Sequence, residues 1–179
     1  MQMIHVPVKE DVSTGSQLIF EHIIKRLGKL PNLYASIGYS EFALKAFTEF
    51  EETLYKGSFS PKEREAIALI VSEVNHCDYC LAAHTQAAVK RGFSFEETIS
   101  IRKAEISDFK LHSIVRLAKS IAENKGSVTD NLLENFYTAG FNNSALMELI
   151  GLVTVRIFTN YVYAISNIPI DFPLAESLT

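Results

Sequence analysis

Both cysteines of the chain lie in one short segment, EVNHCDYCLAAHTQ, which spans residues 73–86. Cys77 and Cys80 are three positions apart, and His84 follows Cys80 by four. If the segment is helical, the three side chains share one stripe, and the imidazole can contact the Cys80 sulfur directly. An imidazole in that place can accept the proton of a thiol and then stabilise the thiolate, which is the nucleophilic form.

The two thiols can also react with each other. Cys77 lies near the predicted start of the helix, where exposed backbone N–H groups stabilise a thiolate. The spacing of three residues lets the pair close an intramolecular disulfide after one thiol has been oxidised. The segment therefore has the composition of a redox centre with one peroxidatic and one resolving thiol.

Two other interpretations of these residues stay open. The cysteines can be buried, inert thiols on an amphipathic helix. They can also bind a metal, with Cys77, Cys80 and His84 as three ligands and His76 or Glu73 as a fourth. Structural zinc sites usually draw ligands from two separated segments, and the chain has no second cysteine pair. We therefore expect no metal and no cofactor other than the disulfide itself, which then needs an external dithiol reductant.

An acidic residue can complete the site. Glu65 lies on an otherwise apolar part of the helix predicted for residues 61–74. If the chain reverses directly after this helix, the helix of residues 77–91 packs antiparallel to it, and His84 comes within one turn of Glu65. A Glu65–His84–Cys80 proton relay is then within reach. The alternative for Glu65 is a solvated carboxylate near the positive end of its helix.

Capping signals and apolar periodicity predict a chain made of helices. Ser60, Pro61 and Glu63 form a capping-box pattern, and residues 94–97, SFEE, repeat it. No strand alternation, long polar linker or internal repeat interrupts the series. The sequence predicts a single all-α domain over residues 1–179, with about eight helices and the CxxC in the N-terminal part of one of them.

Composition and charge limit the partners. The net charge is −4 and no Lys/Arg tract occurs, so we expect no nucleic-acid partner. The first residues lack the pattern of a signal peptide, so we expect a cytoplasmic protein. Residues 145–165 are apolar enough to suggest a membrane span, but Glu148, Arg156 and Asn160 interrupt them. We expect a helix of the core or of a subunit interface there, and no membrane partner.

The order Glu65, eleven intervening residues, Cys77-x-x-Cys80, three residues and His84 resembles the alkylhydroperoxidase AhpD-like proteins of the carboxymuconolactone decarboxylase superfamily. The resemblance covers a core of about residues 45–125. It implies an AhpD-like helical fold in which Cys80 is the peroxidatic thiol and Cys77 resolves it. It also implies that Glu65 and His84 form the proton relay.

The same resemblance implies a function. It predicts a thiol-dependent peroxidase, an antioxidant alkylhydroperoxidase-like enzyme that reduces small organic hydroperoxides. The reductant implied is a dithiol protein or a lipoyl-type partner, and the assembly implied is a homo-oligomer, a trimer or a hexamer. Two alternatives are a redox-responsive CxxC oligomer without efficient peroxidase activity and a carboxymuconolactone-decarboxylase-like enzyme, although the latter chemistry does not depend on a CxxC.

One position departs from the family pattern. The best-known members carry a histidine directly before the second cysteine, where this chain has Tyr79. A phenol can donate a hydrogen bond to a thiolate or to a peroxide oxygen, but it is a poor base near neutral pH. Tyr79 is therefore either a substitute hydrogen-bond donor or an aromatic packing residue.

Overall fold

The computed structural model describes residues 4–178, which form nine α-helices, one short 3₁₀ helix (Lys9–Asp11) and no strand. The helices are α1 (Thr14–Leu27), α2 (Asn32–Ile37), α3 (Glu41–Leu54), α4 (Pro61–Val74), α5 (Asp78–Lys90), α6 (Phe95–Lys103), α7 (Phe109–Glu123), α8 (Asp130–Thr138) and α9 (Asn143–Ser166). The all-α prediction is confirmed. Its count of about eight helices was close to the nine seen in this range.

The predicted capping boxes fix where two of the helices begin. At α4 the Ser60 hydroxyl accepts the Glu63 N–H at 3.2 Å, and the Glu63 carboxylate accepts the Ser60 N–H at 2.7 Å. At α6 Ser94 and Glu97 make the same pair of bonds, at 3.1 and 2.6 Å. Each cap satisfies two backbone N–H donors that a helix start otherwise leaves to water. The start of α4 is thus held in place one turn before Glu65.

Helices α4 and α5 form an antiparallel hairpin. A three-residue turn joins them, in which His76 has φ +50° and the Cys77 N–H donates to the Ser72 carbonyl at 2.9 Å. At the other end of the hairpin, the Lys62 ammonium near the start of α4 donates to the Gly92 carbonyl just past α5, at 3.0 Å. The predicted reversal of the chain after residue 74 is confirmed. Helix α4 is the centre of the fold, because α5, α6, α7 and α9 all pack on it.

The buried apolar residues fall into two clusters. The larger one joins α4, α5, α6, α7, α8 and the first half of α9. The second lies between α1, α2, α3, the first turn of α5 and the segment after α9, and it contains Cys77, Tyr79 and Cys80. The CxxC therefore sits in an apolar environment built largely by the two ends of the described chain.

Helix α9 is the long apolar segment that suggested a membrane span. It is the one helix among residues 4–178 long and apolar enough to cross a bilayer, a test that core helices of globular proteins also pass, and 44% of its most apolar window is buried. It packs on α3, α4, α5 and α7. The polar side chains of Arg156 and Asn160 point inward and bond other helices. In this structure α9 is a core helix, one of the two roles expected for it, and a role at a subunit interface stays a prediction.

Candidate redox site

The two cysteines lie at the start of α5, as predicted. Cys77 is the N-cap residue, and its sulfur accepts the Cys80 N–H at 3.3 Å. The pair forms a disulfide with Cα atoms 5.3 Å apart. Only 1% of Cys77 and 2% of Cys80 is exposed. The helix N-terminus supplies a backbone donor and a partial positive charge, and both stabilise a thiolate at Cys77.

Glu65 and His84 meet across the α4–α5 hairpin. The His84 Nδ1 lies 2.8 Å from the Glu65 carboxylate, and the two side chains are 16% and 15% exposed. Glu65 is therefore not a solvated first-turn carboxylate. The structure brings together the acid and the imidazole predicted for the relay, while their part in proton transfer stays a prediction.

The other imidazole nitrogen is occupied by an arginine from α9. Arg156 Nη1 lies 3.0 Å from His84 Nε2. Since a guanidinium only donates hydrogen bonds, Nε2 must be the acceptor. The ring proton is then on Nδ1 and is donated to Glu65. Among the described residues no hydrogen bond joins His84 to Cys80, so the direct contact that their spacing allows is not made in the disulfide form.

Arg156 is itself bound by a buried carboxylate. Its second terminal nitrogen pairs with Glu51 of α3, and the two residues are 5% and 2% exposed. This partner lies on another helix, and the sequence analysis did not single out Glu51. A signal was present, because Glu51 continues the apolar stripe of Leu44 and Phe47 on α3 and is the one acid on that stripe.

Further cations and hydroxyls hold Glu51 ionised. Tyr34 donates its hydroxyl to Glu51 at 3.2 Å, and an Arg26 nitrogen lies 3.7 Å from the same carboxylate. Burial raises the pKa of Glu51, but the charge and hydrogen bond of Arg156 outweigh it, and the pKa lies below its usual value. Burial lowers the pKa of Arg156, but the charge of Glu51 raises it by more, so the pKa of Arg156 lies above its usual value. The pair therefore stays charged inside the fold.

Tyr79 uses its hydroxyl away from the sulfurs. The hydroxyl donates to Asp171 at 2.6 Å and accepts the Leu33 N–H at 3.1 Å. The ring packs on Tyr163 and Phe172, each with its centroid 5.7 Å away. Burial and the hydrogen bond to Asp171 raise the pKa of Tyr79. The structure favours the packing interpretation of Tyr79 over that of a hydrogen-bond donor to peroxide.

The segment after α9 has no regular structure, and it lies against the apolar cluster around the CxxC. Asn32 donates to the Pro169 carbonyl at 3.0 Å, and Lys29 pairs with Asp171 at 3.0 Å. Farther along, the buried Arg102 donates to the Glu176 carbonyl at 2.6 Å and also pairs with Glu73. We call residues 167–178 the tail. These contacts fasten the tail beside the disulfide.

No metal centre is found in the part of the chain that the structure describes. No group of three or more His, Cys, Asp or Glu side chains converges there in a way that could hold an ion. His76, proposed as a fourth ligand, is exposed on the α4–α5 turn, and Glu73 is paired with Arg102 at 2.6 Å.

Comparison with known proteins shows what the central part of the chain is similar to. Residues 43–124 match the carboxymuconolactone decarboxylase family. A search of curated proteins found no match. Together with solved structures that share the fold, this match supports the resemblance to AhpD-like proteins of the carboxymuconolactone decarboxylase superfamily that the sequence shows.

Three solved structures share the fold over most of its length. A peroxidase-related protein from Silicibacter sp. TM1040 is 22% identical with a TM-score of 0.79, covering 94% of this chain and 89% of its own. The debrominase Bmp8, in complex with 2,3,4-tribromopyrrole, is 15% identical with a TM-score of 0.81, covering 96% and 92%. A peroxidase-related protein from Ralstonia eutropha JMP134, described as an alkylhydroperoxidase AhpD core, is 18% identical with a TM-score of 0.78, covering 89% and 86%. At these identities the likeness is one of fold.

Proposed function

We propose that the protein is a thiol-dependent peroxidase that reduces small organic hydroperoxides through a Cys77–Cys80 disulfide cycle. The observation that carries the proposal is the hydrogen bond between Glu65 of α4 and His84 of α5, an imidazole that lies one helical turn after Cys80 on the same helix. A nucleophilic thiol, a resolving thiol and an oriented imidazole are the groups that this reaction needs.

The cycle has three balanced steps. The Cys80 thiolate attacks one oxygen of the hydroperoxide, so that an S–O bond forms, the O–O bond breaks, and the alkoxide leaves as an alcohol after taking a proton. The Cys77 thiol then displaces water from the Cys80 sulfenic acid and forms the disulfide. An external dithiol returns two electrons and two protons by thiol–disulfide exchange.

The roles within the pair follow from their contacts. His84 accepts the Cys80 proton as the thiolate forms and returns it to the departing alkoxide. Glu65 accepts the Nδ1–H bond at 2.8 Å, orients the ring and stabilises the positive charge that His84 carries between these two transfers. Neither group is consumed, which is the requirement for turnover.

One observation favours a second function, that of a redox-responsive protein. Both sulfurs are almost fully buried, so substrate and reductant reach them only after the surrounding residues move. A disulfide that forms slowly and changes the packing of the tail would report oxidation without efficient turnover. Both functions use the Cys77–Cys80 disulfide, and they differ in how fast it forms and is reduced.

Consumption of cumene hydroperoxide and hydrogen peroxide, with excess dithiol, tests the proposal. The comparison is between the wild type and the Cys80→Ser and Cys77→Ser variants, with 2,3,4-tribromopyrrole as a further substrate because Bmp8 binds it. We expect turnover in the wild type and none in Cys80→Ser, while Cys77→Ser reacts once and stops at the sulfenic acid. Undiminished turnover in Cys80→Ser overturns the proposal. Reversible oxidation without peroxide consumption favours the redox-responsive protein, and loss of bromide alone favours reductive dehalogenation.

The proposed enzyme works as a homo-oligomer with a reducing dithiol or lipoyl-type partner. Helix α9 supports the first part, because its outer side exposes Met147, Tyr161 and Ile165 in spite of their apolar character. Sedimentation of the purified protein distinguishes a monomer from the trimer or hexamer expected. The cytoplasmic location stays a prediction.

A further inference from the structure

The His84 imidazole is hydrogen-bonded on both sides by groups that require the same protonation state of the ring. The Glu65 carboxylate can only accept a hydrogen bond, and the Arg156 guanidinium can only donate one. The contacts at 2.8 Å and 3.0 Å therefore fit one species alone, the neutral ring with its proton on Nδ1. Either the other tautomer or a charged imidazolium would set an N–H group against the guanidinium.

Arg156 has little freedom to leave this position. It is 5% exposed, and its other terminal nitrogen is paired with Glu51, which is 2% exposed. Tyr34 and Arg26 hold Glu51 in turn from α2 and α1. A chain of buried contacts thus runs from α1 and α2 through α3 and α9 to the imidazole on α5.

We propose that Arg156 is a positioning residue for the proposed peroxidase reaction, held by Glu51, which fixes His84 as the Nδ1–H tautomer. The use of this arrangement in catalysis rests on the proposed function, whereas the contacts of His84 with Glu65 and Arg156 do not depend on it. Only this tautomer leaves Nε2, the nitrogen not bound to Glu65, without a proton and so able to accept one. In the disulfide form Arg156 occupies the electron pair of Nε2; once Cys80 is reduced, its S–H competes for it and gives up the proton there.

The proton balance of this exchange is complete. The Cys80 S–H bond breaks, the Nε2–H bond forms, and the imidazolium is stabilised by the Glu65 carboxylate. The same proton passes to the alkoxide when the O–O bond breaks, and Nε2 again accepts the Arg156 N–H. Arg156 keeps its charge throughout, so it orients the base and transfers no proton itself.

The test is a direct observation of the ring nitrogens. Long-range ¹H–¹⁵N spectra distinguish a protonated from an unprotonated ring nitrogen, and His84→Gln assigns the signals. The variant is the double substitution Glu51→Gln with Arg156→Met, which removes the donor without leaving a charge buried alone. The matched control is Glu73→Gln with Arg102→Met, which removes the other buried arginine pair, with side-chain exposures of 3% and 25%, outside the site.

In the oxidised wild type and in the control we expect one His84 tautomer, protonated at Nδ1. In the site variant Glu65 still accepts the Nδ1–H, so we expect Nε2, no longer facing the guanidinium, to carry a proton in part of the molecules. We also expect a fall in peroxide kcat/KM of about tenfold to a hundredfold, the range for a misplaced catalytic group. If the double variant does not fold, Arg156→Lys carries the same test, because an ammonium on a shorter side chain can pair with Glu51 but cannot also bridge to His84.

A wild type with a proton on Nε2, or a site variant in which Nε2 stays unprotonated, overturns the inference even if peroxide is consumed. A wild type with the Nδ1–H tautomer that depends on Arg156, but without peroxide turnover, keeps the positioning role and removes the proposed function. The two failures are therefore distinguishable.

Discussion

Two buried arginines of this protein, Arg156 and Arg102, form the same kind of ion pair but differ in the role of that pair. Arg156 and Arg102 are each 5% exposed and each pairs with a glutamate. Glu51, the partner of Arg156, is 2% exposed, and the second contact of Arg156 is the His84 ring. The side chain of Glu73, the partner of Arg102, is 25% exposed, and the second contact of Arg102 is a carbonyl of the tail.

The difference shows that the second partner decides the role of a buried ion pair. Ion pairs in a protein interior are weak contributors to stability, since desolvation offsets much of their attraction. Arg102 fastens a segment of irregular structure, for which one charged hydrogen bond is enough. Arg156 determines which nitrogen of an imidazole carries the proton, and that is a property of a reactive site.

The largest effect expected is that of Arg156→Met. It leaves the Glu51 carboxylate buried with Tyr34 and the more distant Arg26, and a broken buried pair costs about 3–5 kcal/mol. Urea unfolding at neutral pH measures the loss. Adding Glu51→Gln should recover part of it, because the remaining group is then neutral. A single variant as stable as the wild type would show that the pair contributes nothing to the fold.

A smaller effect is expected for Arg102→Met. The Glu73 carboxylate can turn to water, while the Glu176 carbonyl loses its donor, so we expect a loss of about 1–3 kcal/mol. The rate at which a small phosphine reduces the disulfide should rise in this variant, because one end of the tail is released. An equal loss of stability for Arg102→Met and Arg156→Met would remove the contrast between the two pairs.

The Glu51–Arg156 pair should also contribute to the pH dependence of stability in acid. The folded-state pKa of Glu51 is lowered, so this group stabilises the fold above its ordinary pKa of about 4.3, and the contribution is lost as the pH falls through the folded-state value. The free energy of unfolding, measured from neutral pH downward, should therefore decline less steeply in the Glu51→Gln, Arg156→Met double variant. An unchanged slope in this double variant would contradict this explanation.

The smallest effect is expected for Asp171→Asn in the tail. The ion pair with Lys29 is partly exposed, at 44% and 24%, so its loss is worth about 0.5–1 kcal/mol, while the amide oxygen still accepts the Tyr79 hydroxyl. Disulfide reduction should be faster by a small factor, with the His84 spectrum unchanged. A changed His84 tautomer in this variant would mean that the tail and the charged network are coupled.

The sequence predicted the parts of the site that depend on local geometry. The capping box at Ser60 and the reversal after residue 74 set α4 against α5, and the separation of Glu65 and His84 then follows from helix periodicity. The contact between these two side chains could therefore be predicted from the spacing of residues alone.

Contacts between distant segments could not be predicted in this way. Arg156 and Glu51 are separated by 105 positions in the chain, and Tyr79 and Asp171 by 92. Helical spacing places Glu51 on an apolar stripe of α3, but it does not show that α3 and α9 bring Glu51 and Arg156 together. The role of Tyr79 was undecided for the same reason, because the tail supplies the acceptor for its hydroxyl.

The turn between α4 and α5 has a consequence for how this chain can change. Three residues reverse its direction, and the Cys77 N–H to Ser72 bond ties the two helices at that point. A residue inserted between Cys80 and His84 would rotate the ring by about 100° around α5, away from Glu65. Substitution at the exposed His76 leaves this register intact. The number of residues along the hairpin is therefore under stricter constraint than the identity of the residues in its turn. We expect this site to tolerate substitutions in the turn better than insertions in α5.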